Sequence, residues 1–136
     1  MPTTMNPYLN FDGNTEEAMK FYADVLGGKL DLMRFSDGGM PHPPEAKNRV
    51  MHATLMTDSI TLMASDTQPG QPVVKGNQVH ISLNFSDKNE QTRVWERLSA
   101  GANVTMPLGD QFWGRFGMLT DRYGIQWMLN HQAPKK

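Results

Sequence analysis

Apolar and polar positions run in two rhythms along this chain, and the order of rhythms occurs twice. Tyr8 to Phe11 is a short, half-apolar run closed by the turn residues Asp12-Gly13-Asn14. The period then lengthens: Ala18, Phe21, Tyr22 and Val25 are spaced 3, 4 and 7 apart, one stripe of a helix. Asn14 stands at its cap position, Glu17 follows three residues on as in a capping box, and Gly27-Gly28 supplies the stop. Lys29 to Phe35 returns to strand-like alternation. Ser36 to Asn48, with Gly38, Gly39, Pro41, Pro43 and Pro44, reads as an irregular loop. Val50 to Met56 and Ser59 to Ala64 read as a hairpin turning at Thr57-Asp58.

After a polar, Gly- and Pro-rich stretch between Ser65 and Asn77 the same order begins again. Val79 to Phe85 is a strand, and Asp87 with Glu90 marks a helix start. Gln91, Val94, Trp95 and Leu98 repeat the helical stripe, and Gly101 ends it. Val104 to Leu108, Phe116 to Asp121 and Ile125 to Asn130 complete the strands, with Arg122-Tyr123-Gly124 as the last turn. Asn6 to Phe11 corresponds to His80 to Phe85 at a shift of 74 (80 − 6), and Ile60 to Met63 corresponds to Ile125 to Met128 at a shift of 65 (125 − 60). Each copy reads β-α-β-β-β. The expected organisation is one α+β domain of two modules, residues 1–65 and 78–136, joined by a linker at 66–77. Two such modules suggest half-units that enclose a shared pocket.

Composition narrows the functional classes. A formal net charge of −1 over 136 residues gives no electrostatic footprint for nucleic acid or an anionic membrane. The absence of cysteine removes disulfides, thiolate nucleophiles and cysteine metal sites. No apolar run approaches the roughly 20 residues that span a bilayer, and the first residues lack the pattern of a secretory signal, so a cytoplasmic location is expected. There is no phosphate loop, no nucleophile elbow, and no Gly-rich loop in a Rossmann-type unit.

The segments Tyr8-Leu9-Asn10-Phe11-Asp12-Gly13-Asn14, Glu17-Ala18, Phe21-Tyr22, His52-Ala53, Leu62 to Asp66, His80 to Leu83, Phe112-Trp113-Gly114, Phe116-Gly117, Asp121, Tyr123-Gly124 and Trp127-Met128 span nearly the whole chain. In this order they resemble the vicinal oxygen chelate superfamily of glyoxalase I, extradiol dioxygenases and bleomycin-resistance proteins. The likeness is greatest to its PhnB-like group, long labelled 3-demethylubiquinone methyltransferase-like. The resemblance implies two βαβββ modules forming a half-open barrel around a cavity, helices outside, in a homodimer. It also implies four inward positions that hold a divalent cation in metal-dependent members, and these fall on Asn6, Met63, His80 and Met128. Only His80 is a good ligand for zinc, nickel, iron or manganese; Asn6 is a weak donor, and thioethers suit copper(I) rather than these metals. His42 or His52 could in principle join His80, but His42 lies in the Pro/Gly loop. No metal or other cofactor is therefore expected.

The expected site is instead an apolar pocket for an apolar or aromatic small molecule. Met63 and Met128 would give it a deformable floor. Tyr8, Ser65, Ser82, Gln126 and Asn130 lie two residues from the mapped positions, hence on the same strand faces, and would add hydrogen-bonding groups. His52 and His80 are the titratable candidates, and Trp113 would either cap the pocket and stack on a flat ligand or plug the barrel end. Met19, Met33 and Met56 are expected in the core, as are Trp95 and Trp127. Glu16, Glu17, Glu90 and Glu96 fall on helices, where capping and solvated-face roles explain them. A binding protein is the first reading. The alternative is an enzyme of the same superfamily, either metal-dependent or using His80 as a metal-free acid/base.

Overall fold

The computed structural model describes residues 3–37 and 41–132, and resolves two compact units, Met1–Val74 and Lys75–Lys136. In the first unit the order is β1 (Tyr8–Phe11), α1 (Thr15–Leu26), β2 (Lys29–Arg34), a 3-10 turn at Pro44–Ala46, β3 (Val50–Met56) and β4 (Thr61–Asp66). The second unit runs β5 (Ile81–Asn84), α2 (Lys88–Leu98), β6 (Asn103–Gln111), β7 (Gly114–Thr120) and β8 (Gln126–Gln132). The architecture is α+β, with the two βαβββ modules that the sequence predicts. Each unit is a four-stranded mixed sheet, ordered β1-β4-β3-β2 in the first and β5-β8-β7-β6 in the second; neither closes into a barrel by itself.

The internal repeat is reproduced in the hydrogen-bond register. β1 pairs parallel with β4, placing Tyr8 beside Met63, and β5 pairs parallel with β8, placing Ser82 beside Met128. The shifts of 74 and 65 read from the sequence carry the first pair onto the second. The remaining ladders, β2/β3, β3/β4, β6/β7 and β7/β8, are antiparallel.

Alternation fixes which face of each sheet is buried. Leu9 and Phe11 on β1, Ala53 and Leu55 on β3, and Leu62 and Ala64 on β4 are buried, as are Ala18, Met19, Tyr22 and Val25 on α1. In the second unit Leu119, Trp127 and Leu129 are buried together with Val94 and Leu98 of α2. Gln91 interrupts that apolar stripe but is satisfied: its Nε2 donates to the carbonyls of Arg115 at 2.8 Å and Leu129 at 3.2 Å, tying the helix to β7 and β8. Trp95 is half-buried and seated over Gly117, where a Cβ would come within 2.7 Å of the indole.

Several local expectations are corrected. Asn14 occupies the cap position but its side chain makes no capping bond. Asp66 of β4 takes that role: Oδ1 accepts from the backbone N–H of Gly13 and Thr15, both at 3.0 Å, and from the Thr15 hydroxyl at 2.7 Å. Its other oxygen accepts from Val50 N–H at 2.8 Å, so one buried carboxylate joins the starts of α1 and β3 to the end of β4. β4 thus extends through Ser65 and Asp66, positions at the edge of the expected linker. β5 begins at Ile81, one residue after His80, and β6 runs on to Gln111. Met19 is buried as expected, whereas Met33 and Met56 are 44% and 54% exposed. Met33 alternates with half-buried Leu32 and Arg34 on β2, and Met56 follows buried Ala53 and Leu55 on β3, so both lie on the sheet face opposite the helix. Gly38 and Gly39 of the irregular loop lie outside the described residues.

Candidate small-molecule site

In each unit the helix covers one sheet face and leaves the other to the candidate residues. On β4, Met63 and Ser65 are half-buried and alternate with buried Leu62, Ala64 and Asp66. Tyr8 pairs with Met63 from one side and Thr54 pairs with it from the other, so the three share a row on the helix-free face. His52, two residues before Thr54, shares that face and pairs with Met33.

Tyr8 and His52 meet across the intervening strand β4, with the phenolic oxygen 3.3 Å from Nδ1 and the ring centroids 5.8 Å apart. The other ring nitrogen, Nε2, is 2.9 Å from the Thr54 hydroxyl. His52 is thus held at both nitrogens by hydroxyl groups. Thr54 escaped the sequence reading, although the spacing His52-x-Thr54 on one strand already puts the two side chains on one face.

The corresponding face of the second unit is different in chemistry. Met106, Met118 and Met128 pair in one row across β6, β7 and β8, and Ser82 completes it on β5. By register Met118 stands where Thr54 stands, and Phe116 stands where His52 stands. Trp113 and Phe112 form the turn between Gln111 and Gly114, which pair with each other. Trp113 is 37% exposed and packs edge-on against buried Phe116 at 5.4 Å, while Phe112 beside it is 95% exposed.

The remaining candidates take varied places. Gln126 Nε2 donates to the carbonyls of Gly76 at 2.9 Å and Val79 at 3.3 Å, anchoring the segment that precedes β5. Asn130 pairs with Phe116, and its buried amide oxygen accepts no hydrogen bond from a described residue. His80 is half-buried just before β5, and no hydrogen bond, ion pair or ring contact engages its side chain among the described residues. Asn6 is exposed, ahead of β1. His42 lies against the Phe35 ring at 6.1 Å. The helix carboxylates are engaged locally: Glu16 with Lys20 and Arg34, and Glu90 with Arg93.

A family model described as the Glyoxalase/Bleomycin resistance protein/Dioxygenase superfamily matches residues 4–129. The chain belongs to this superfamily. Protein YjdN of Escherichia coli (strain K12) is 30% identical over 140 residues, covering 93% of each chain. The crystal structure of protein PA1353 from Pseudomonas aeruginosa superposes with a TM-score of 0.86 at 43% identity, covering 96% of this chain and 98% of that one. A Bacillus cereus protein described as a putative 3-demethylubiquinone-9 3-methyltransferase, PhnB protein, superposes at 0.77 with 25% identity, covering 95% and 99%. PhnB-like relatives are thus among the structural neighbours of this superfamily member.

The four side chains expected at metal positions offer donors poorly suited to a hard or borderline divalent ion. The register-equivalent pair Met63 and Met128 offers thioethers, Asn6 an amide, and His80 one imidazole. Among the described residues no three His, Cys, Asp or Glu side chains form a group that could hold a metal. No described helix is long and apolar enough to cross a membrane.

Proposed function

We infer that this superfamily member binds a small apolar or aromatic molecule without using a metal ion. The observation that carries the reading is the register equivalence of Met63 and Met128: the resemblance puts metal donors at these positions in metal-dependent members, and here both carry a deformable thioether. Around them the helix-free faces offer a few polar groups in a mostly apolar setting, the composition that small-molecule sites favour. In the first unit Tyr8, His52 and Ser65 would orient the ligand, with Asn6 at the edge. On the second unit's own helix-free face, His80, Ser82 and the oxygen of Asn130 would offer hydrogen-bonding groups to a ligand, with Trp113 as the stacking surface; Gln126 holds the segment leading to His80. Function in this reading is burial and stacking, and the chain works as a homodimer.

The test is elemental analysis of untagged protein exposed to nickel, zinc and manganese, together with methyl NMR of the methionines during titration with substituted benzenes. No metal above trace and shifts at Met63 and Met128 support the reading. Stoichiometric retention of a divalent ion overturns it in favour of a metal-dependent enzyme. Light scattering that gives a monomer mass overturns the dimer.

A second reading, metal-free acid–base chemistry, is favoured by one observation, the hydrogen bond between Tyr8 and His52. That contact moves the centre of such chemistry from His80 to His52.

A further inference from the structure

The three groups Tyr8, His52 and Thr54 share two hydrogen bonds, and a neutral imidazole has one N–H to give and one lone pair to receive. Two directions satisfy both contacts. In one, Thr54 donates to Nε2, Nδ1–H donates to Tyr8, and the phenolic hydrogen is left to point outwards. In the other, Tyr8 donates to Nδ1, Nε2–H donates to Thr54, and the phenolic oxygen is left with its lone pairs outwards. A phenolic O–H is a stronger donor and its oxygen a weaker acceptor than those of an aliphatic alcohol. The second direction therefore puts the better donor on the nitrogen lone pair and the better acceptor on the ring N–H.

We propose that Tyr8 presents a hydrogen-bond-accepting oxygen, fixed by His52 and Thr54, that selects a flat apolar ligand carrying one phenol-type O–H donor. The proposal rests on the reading of this sheet face as a ligand surface. Tyr8 is 46% exposed and lies on the helix-free face, so its oxygen is reachable. Donation of its own hydrogen to Nδ1 polarises that oxygen and strengthens it as an acceptor. Met63, its register partner, and Met33, the partner of His52, give the apolar walls against which a ring would rest. Asp31 is the charged group in register with Thr54, and being exposed it is hydrated rather than in competition for the ligand hydroxyl. Without His52 a tyrosine hydroxyl would turn freely and accept donors and acceptors alike; the imidazole makes it discriminate.

The probes are p-cresol and 4-methylanisole, which share a ring and differ by whether the oxygen carries a hydrogen. In the unmodified protein p-cresol binds about tenfold more tightly, as expected for one hydrogen bond. In Tyr8→Phe the ratio falls to about one while the weaker affinity for 4-methylanisole persists. Long-range 1H–15N NMR of His52 in the free protein shows the Nε2–H tautomer. A ratio near one in the unmodified protein, or an Nδ1–H tautomer, overturns the proposal and leaves the apolar-binding reading in place. Failure of both probes to perturb Met33, Met63 or His52 overturns the reading of this face as a ligand surface, and the proposal with it.

Discussion

Asp121 and Trp127 hold each other in the second unit: the buried indole Nε1 donates to Oδ2 of the buried carboxylate at 2.8 Å. The other carboxylate oxygen accepts from the N–H groups of Tyr123 at 2.8 Å and Ile125 at 3.0 Å, so the turn into β8 is built around one side chain. Trp127→Phe removes the indole donor from a buried acceptor and should cost about 1–3 kcal/mol. Urea denaturation checks this, and a cycle with Asp121→Asn should show strong non-additivity because the two side chains share the interaction.

Asp66 carries more. Its four accepted hydrogen bonds join α1, β3 and β4, and Asp66→Ala would strand donors in a dry setting. The expected loss is about 3 kcal/mol or more. Asp66→Asn keeps one acceptor oxygen and should cost less. Asn14→Ala is the control: its side chain makes no capping bond, and its substitution should change the denaturation midpoint far less than a typical cap deletion of about 1 kcal/mol.

Gly117 is required by packing rather than by a special turn. A Cβ there would lie 2.7 Å from the Trp95 ring and 3.0 Å from the Leu108 Cα, and the second of these cannot swing away. Gly117→Ala should destabilise the second unit by about 1–3 kcal/mol, as overpacked cores do. Trp95→Leu in the same chain should recover part of that loss relative to the two single changes, which calorimetry of the double variant would show.

Glu16 should leave a small acid signature. Hydrogen bonds from Lys20, first, and Arg34 hold its carboxyl below the usual carboxylate range. A depressed folded-state pKa stabilises the fold above the unfolded pKa, and that contribution disappears as pH falls through the folded value. Because Lys20 is exposed and Glu16 and Arg34 are only half-buried, solvent screens the pairs and the effect should stay below about 1 kcal/mol. Comparing Glu16→Gln with the parent by urea denaturation at pH 7 and pH 3, the gap should close at the lower pH and shrink with added salt.

Periodicity and turn chemistry were enough to place both helices and the order of elements along the chain because each element announces itself within a few residues. Thr15 to Leu26 carries its own stripe, and the 74- and 65-residue correspondences survive as the Tyr8–Met63 and Ser82–Met128 pairs. What local pattern could not reveal depends on contacts distant in sequence. Asn14 looked like a cap because Asp66, 52 positions later, is invisible to any local window. Met33 and Met56 looked like core because methionine is usually buried, but their strand parity puts them on the uncovered face. The Tyr8–His52 contact likewise spans 44 positions and crosses a strand.

The register correspondence between the two sheets sets a polar trio, Tyr8, His52 and Thr54, against Ser82, Phe116 and Met118. The two sheets share a framework and differ in the chemistry of their helix-free faces. One helix-free face carries a hydrogen-bonded set of polar side chains, and the other carries thioether and aromatic side chains beside a single hydroxyl. Side chains on either face could therefore be exchanged separately, since the backbone ladders that hold the two sets are common to both and indifferent to what those side chains are.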